Sequence, residues 1–168
     1  MQQGVEVVRV DAATDDVRML VGLLNDELGS LYSPQQRHGL NLDALFQPHI
    51  RFFVAYWRGQ PAGCGGVALL DGFAEIKRMY VRSAWRGEGI ADVIMARLVA
   101  EAAGVGHTVM RLETGVYSGA AIAFYRRQDF VACAAFEPYA SMPKASVLTS
   151  VFMEKAILKA PGGMSCRQ

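Results

Sequence analysis

Charge of one sign is what this 168-residue chain has least of: seventeen Lys and Arg stand against sixteen Asp and Glu, a formal net charge of +1. That balance removes the electrostatic case for a nucleic-acid partner, which rests on a basic excess. Cysteine is scarce as well. The three, Cys64, Cys133 and Cys166, are odd in number and widely spaced, which argues against a disulfide framework and against a zinc site. Cys64 and Cys133 fall in apolar, strand-like runs and read as inert core thiols. His38, His49 and His107 have no metal-ligand spacing and read as surface or capping residues. No apolar run approaches the roughly 20 residues that cross a bilayer. Met1-Gln2-Gln3-Gly4 lacks the basic and then apolar pattern of a secretory leader. These absences lead to the expectation of a cytoplasmic protein with no membrane partner, no nucleic-acid partner and no metal.

What is present is a core. Hydrophobic residues make up 52% of the chain and charged residues 20%, the balance of a globular domain. The length suits one domain, expected over residues 1–160, with a flexible tail, residues 161–168, opened by Pro161-Gly162-Gly163. Val5 to Val10 alternates as a strand. Thr14 stands as the N-cap of a helix whose stripe is Val17, Leu20, Val21, Leu24 and Leu28, ending near Gly29. A polar stretch to Asn41 and a short helix from Leu42 to Phe46 follow. Phe52–Trp57, Ala62–Leu70 and Ala74–Val81 read as an antiparallel meander, punctuated by Arg58-Gly59-Gln60-Pro61 and Asp71-Gly72. Gly63, Gly65 and Gly66 weaken the middle strand and mark a bulge or a close approach. After a helix stopped by Gly104 and Gly106, strands are expected at Thr108–Leu112, Phe130–Phe136 and Ser146–Leu158, with a helix from Gly119 to Arg127. The strand–helix–strand crossover makes the Glu75 and Thr108 strands parallel neighbours. In the last strand Val147, Val151 and Phe152 are the expected core members.

One stretch organises the rest. The strand Ala74–Val81 runs into Arg86-Gly87-Glu88-Gly89-Ile90-Ala91, and apolar residues recur at helical spacing from Ile90 through Val93, Ile94, Leu98 and Ala102. Gly87 and Gly89 allow backbone conformations that a Cβ forbids. The first turn of the helix presents unpaired N–H groups and the positive end of its dipole, a site suited to a phosphate or pyrophosphate.

That turn resembles the Arg/Gln-x-x-Gly-x-Gly/Ala signature of the GNAT superfamily of acetyl-CoA-dependent N-acetyltransferases. Ala121-Ile122-Ala123-Phe124-Tyr125-Arg126-Arg127-Gln128-Asp129-Phe130 is similar to its Ala-x-x-x-Tyr-x-x-x-Gly-Phe segment. The resemblance covers nearly the whole chain and is specific from about Glu75 to Phe130. It implies an α+β fold: a mixed, mostly antiparallel sheet of about seven strands with one parallel crossover and about four flanking helices. It also implies acetyl-CoA as co-substrate, held by Met79, Tyr80 and Val81 on the strand and by Arg86, Gly87, Glu88, Gly89, Ile90 and Ala91 in the turn. Ser118 occupies the place of an asparagine that contacts the cofactor arm, and Asp129 replaces a glycine.

Transfer of an acetyl group to an amine needs a base for the ammonium proton and a donor for the departing thiolate. The resemblance assigns Tyr125 as that donor. It offers two carboxylates as base: Glu113, from the Leu112-Glu113 pair at its strand end, or Glu75, alone or as a partner through water. Of the nearby cations, Arg86 is assigned to the pyrophosphate, Arg82 to another phosphate or to solvent, and Lys77 and Arg78 to opposite faces of their strand, so that at most one meets a given ligand. Glu27, Tyr32 and Tyr139, with Arg37 and Phe136, fall where the family binds its acceptor, and their aromatic, mixed-charge character suits a small amine or amino acid. No cysteine or serine lies in a nucleophile setting, so transfer is expected to be direct.

Rival readings remain at this level. A dinucleotide oxidoreductase fails the third glycine of its fingerprint and has only one crossover unit. A catalytically silent acyl-CoA-binding module and a peptide or protein N-acetyltransferase stay open, as does a homodimer.

Overall fold

The computed structural model describes residues 4–158; the expected tail and Cys166 lie outside them. Seven strands form one sheet in the order β1-β2-β3-β4-β5-β7-β6: β1 (Val5–Val10), β2 (Ile50–Trp57), β3 (Gln60–Leu69), β4 (Ala74–Val81), β5 (Val109–Gly115), β6 (Val131–Ala132) and β7 (Ser150–Ala156). Every pairing is antiparallel except β4 with β5. The helices are α1 (Asp15–Gly29), α2 (Ile90–Gly104), α3 (Gly119–Arg127) and the single turn α4 (Lys144–Val147). This is the expected α+β architecture, with the parallel pair where the crossover places it. No described helix is long and apolar enough to cross a membrane.

Two apolar layers sandwich the sheet. On one face Val17, Leu20, Val21 and Leu24 of α1 pack on Phe52, Val54 and Cys64. Thr14 caps α1, its Oγ1 accepting from Val17 N at 3.3 Å. On the other face Ile90, Ile94, Met95, Leu98 and Ala102 of α2 pack on β3, β4 and β5. The glycines of β3 set that second contact. A Cβ on Gly65 would stand 2.9 Å from Ile94 Cγ2, and one on Gly63 would stand 2.6 Å from Tyr80 O and 3.1 Å from Ile94 Cδ1. The missing side chains let the helix settle onto the strand, and the register slips between Cys64 and Gly66. The bulge and the close approach expected from these glycines are both present.

Three expectations fail at the C-terminal end. The strand expected over Phe130–Phe136 pairs only at Val131 and Ala132, plus one bond from Cys133 N to Phe152 O. Phe136 is instead drawn into an aromatic cluster with Phe73, Tyr139 and Phe152, and that burial takes the chain off the sheet edge before Pro138. Cys133 therefore lies just past β6, half-buried. The long strand expected from Ser146 begins at Ser150, because Pro143 stands at the N-cap of α4 and the chain turns once before it extends. Val147 is thus helical. Met153 is the fully buried member of β7, while Val151 and Phe152 are only partly buried. Earlier in the chain, the short helix expected over Leu42–Phe46 is present as a 3₁₀ turn over Asp43–Phe46.

Candidate active site

The parallel pairing of β4 and β5 is short. Only Ala74 faces Met110 and Glu75 faces Arg111. Beyond those pairs β4 runs on to Val81 and β5 turns to its antiparallel partner β7 through Gly115. The two strands part, and the backbone of β4 from Ile76 onward has no ladder on that side. Unpaired strand edges bind extended ligands by main-chain hydrogen bonds. The gap opens a cavity of about 850 Å³, at the carboxyl ends of the parallel pair, where open sheets bind their ligands.

One end of the cavity is the glycine turn. Gly87 and Gly89 have φ of +86° and +78°, values that glycine adopts without strain. Gly89 is the N-cap of α2 and supplies no side-chain cap, so the first N–H groups of the helix face the cavity free. Space is open where a Cβ on Gly87 would be. These features fit a pyrophosphate, with an extended arm along Met79, Tyr80 and Val81. Arg86 also lines this end of the cavity. Its guanidinium is held by Glu27 of α1 in a two-pronged ion pair of 2.8 and 3.0 Å and donates through Nε to Val81 O at 3.0 Å. Its charge is answered within the protein, which leaves the backbone N–H groups to meet an anion. Glu27 is thereby a partner of the turn. Arg82 stacks on Trp85 and donates to Pro61 O, off the cavity wall.

The other end holds the titratable groups. Glu113, on β5, lines the cavity and accepts no hydrogen bond from a described residue. Burial pushes its carboxyl up to about 7; Lys77 pulls against that shift and the charge of Glu75 adds to it. Tyr125, on α3, is buried and packs edge-on against Phe130. Burial first, and then the charge of Glu113, keep its phenol protonated well above the ordinary tyrosine value. Asp129, which ends this helix, has φ of +69°, the left-handed conformation that the family's glycine would adopt and that aspartate tolerates.

Glu75 sits behind this wall, 1% exposed. Its Oε2 accepts from the Tyr139 hydroxyl at 2.9 Å and from Lys77 Nζ at 2.7 Å, and Lys77 also donates to the Tyr139 oxygen at 3.0 Å. Oε1 is buried without a partner among the described residues. Tyr139 and Lys77 line the cavity; Glu75 does not. Tyr32 bridges two segments: its hydroxyl shares a 2.9 Å hydrogen bond with Ser118 Oγ and accepts from Tyr117 N, while its ring covers Gly115, where a Cβ would collide with it.

One sequence expectation is corrected here. Lys77 and Arg78 do not divide between the faces of the sheet: both line the cavity. Arg78 has φ of +53° opposite the slipped register of β3, and that twist breaks the two-residue alternation. His38 is also at the cavity wall, edge-on to Tyr139, its Nε2 donating to Ser146 O at 2.7 Å. An irregular loop carries no periodicity to reveal such a position, and its neighbour Arg37 was the only hint.

Comparison with known proteins bears on the family and the fold. The family model described as Acetyltransferase (GNAT) family matches residues 19–130. A protein of Azospirillum brasilense named IAA acetyltransferase is 38% identical over 155 residues, covering 91% of this chain and 98% of that relative. An uncharacterised N-acetyltransferase of Bacillus subtilis, YsnE, is 31% identical over 89% of this chain and 99% of its own. Among solved structures, a putative acyl-CoA N-acyltransferase from Klebsiella pneumoniae superposes with a TM-score of 0.75 at 28% identity, covering 94% of this chain and 100% of that one.

Proposed function

The chain belongs to the acetyltransferase (GNAT) family and is an acetyl-CoA-dependent acyltransferase; from that premise we propose that it acetylates the primary amine of a small molecule or amino acid by direct attack. The observation that carries this reading is the meeting of Glu113 and Tyr125 in the gap between β4 and β5, beside an unpaired strand edge and a free helix N-terminus.

In this reading the backbone of Met79–Val81 and the N–H groups of the Gly87–Ala91 turn hold acetyl-CoA, with Ser118 contributing from the opposite wall. Glu113 takes a proton from the attacking ammonium, directly or through one water. The amine nitrogen then bonds to the acetyl carbon as the carbon–sulfur bond breaks, and Tyr125 gives its proton to the departing sulfur. A carboxylate tuned near neutrality is a competent base there. Lys77 and Tyr139 clasp Glu75, whose charge raises the proton affinity of Glu113, which makes Glu75 a positioning residue in this scheme. Tyr32 and Tyr139 form the acceptor end of the wall.

The test is a screen of amines and peptides for free-thiol release from acetyl-CoA. Turnover with small amines and none with peptides supports the reading. Turnover with peptides alone assigns a peptide or protein acetyltransferase, and binding of acetyl-CoA without turnover on either panel assigns a silent binding module.

A further inference from the structure

Two guanidinium groups at the acceptor end of the cavity are not used by this reaction scheme. Arg37, in the loop after α1, and Arg78, at the twist in β4, both line the wall. Elsewhere in that wall Arg86 is matched by Glu27 and Lys77 by Glu75, while Arg127 at the end of α3 is exposed. Among the described residues, neither Arg37 nor Arg78 pairs with a carboxylate. Arg78 donates to Asn25 Oδ1, and both Nε atoms are buried with no hydrogen-bond partner.

Guanidinium groups carry five donors and no acceptor. Two of them near each other in a partly dry wall disfavour one another. Burial first, and the charge of Arg37 as well, hold Arg78 below the ordinary arginine value. The backbone accommodates this costly arrangement. A Cβ at Gly39 would collide with the Arg78 guanidinium, so the chain is bare where that group lies. The positive φ at Arg78 is a strained conformation of the kind that persists at ligand sites. An anion bound between the two arginines relieves their repulsion, and a planar carboxylate matches the arginine fork in two-pronged fashion.

We propose that Arg37 and Arg78 bind the carboxylate of the acceptor, so that the substrates of this enzyme are amino acids presented with the amine toward Glu113. This rests on the acetyl-transfer reading above. The other oxyanion source within reach is a phosphate of acetyl-CoA itself. It is the less suited occupant, because three residues of β4, roughly 10 Å of strand, and then the whole Ser83–Trp85 turn separate Arg78 from the glycine turn.

Two readouts test the proposal. Thiol release from acetyl-CoA is followed with the common L-amino acids and with their carboxamides as acceptors. Separately, calorimetry on the CoA-loaded protein measures binding of N-acetyl-L-amino acids and of the matching carboxamides, without turnover. The parent protein is expected to favour the carboxylate at least tenfold in kcat/KM and in affinity for its best pair. Arg37→Gln should abolish that preference while acetyl-CoA affinity stays within twofold. Arg78→Gln should do the same, and if its twisted backbone fails to fold, the loop variant Arg37→Gln carries the test alone. Equal use and binding of acid and amide by the parent, or an undiminished preference in folded Arg37→Gln, overturns the proposal. A fall in acetyl-CoA affinity in Arg37→Gln also overturns it, because the arginines then hold a phosphate. If no acceptor releases thiol but carboxylates still bind selectively, acetyl transfer to small amines is what fails, and the carboxylate site stands.

Discussion

The Tyr139 hydroxyl donates a 2.9 Å hydrogen bond to Glu75 Oε2, the same oxygen that Lys77 Nζ reaches at 2.7 Å. Glu75 is thereby clasped in a buried ion pair with Lys77. Glu113, which faces the cavity without such donors, is free to exchange a proton. The two glutamates therefore separate in a pH profile. In the parent, kcat/KM should rise through a limb near pH 7, and Glu113→Gln should remove that limb. Glu75→Gln should keep a limb, moved to lower pH by loss of a neighbouring negative charge, and should lower the melting temperature, since an uncompensated buried Lys77 costs roughly 3–5 kcal/mol. Loss of the limb in Glu75→Gln with its survival in Glu113→Gln would make Glu75 the base. Survival in the double variant would assign the limb to the acceptor amine.

Glu113 also carries a stability signature. Its folded-state pKa is raised from 4.5 to about 7, so between those values the folded protein binds a proton that the unfolded chain has released. Stability from this group is therefore fully present below pH 4.5 and is lost as pH rises toward 7. At about 1.4 kcal/mol per pKa unit the loss is at most about 3.5 kcal/mol. Glu113→Gln should raise the melting temperature at pH 8 relative to the parent and change it little at pH 4. An equal effect at both pH values would show that burial of the carboxylate carries no such cost.

Tyr125→Phe removes a hydroxyl that has no hydrogen-bond partner among the described residues and leaves the ring packed on Phe130. Turnover should fall by roughly ten- to ten-thousandfold, the range for one acid–base group, with acetyl-CoA affinity and melting temperature close to the parent. A variant as fast as the parent would make Tyr125 a packing residue only.

Gly89→Glu places a side chain and a negative charge at a position with φ of +78°, at the helix end proposed to meet the pyrophosphate. Calorimetry should show acetyl-CoA bound at least tenfold more weakly, about 1.4 kcal/mol. Unchanged affinity in a folded variant would remove this turn from the binding site.

Direct transfer predicts that incubation with acetyl-CoA alone leaves no labile adduct on a cysteine. Cys64 is fully buried, and burial pushes its thiol up to about 12, which leaves almost no thiolate at neutral pH. Intact mass spectrometry reads the outcome. A stoichiometric acetyl adduct that an amine then discharges would replace direct attack with a two-step route.

Local pattern was enough for the parts of this protein that local pattern controls. The period of α1 and α2, the glycine turn at Gly87 and Gly89, the N-cap at Thr14 and the crossover between β4 and β5 are legible because each is decided by residues a few positions apart. The candidate pair Glu113 and Tyr125 was legible through its motifs, although only the fold brings both to one cavity. Less could be read from Phe130 onward. There Phe136 joins Phe73 and Tyr139 from distant segments, and burial of those rings outweighs the strand tendency of the run that contains it. The placement of Lys77 and Arg78 on one wall was also beyond reach, since the alternation rule holds only for a regular strand and the slip opposite Cys64 and Gly66 breaks it. The sequence alone determined which residues could carry a proton and where an anion could meet a helix. Which glutamate is clasped and which is free, and which arginines lack a partner, was decided by tertiary structure, because desolvation and charge pairing depend on groups far apart in the chain.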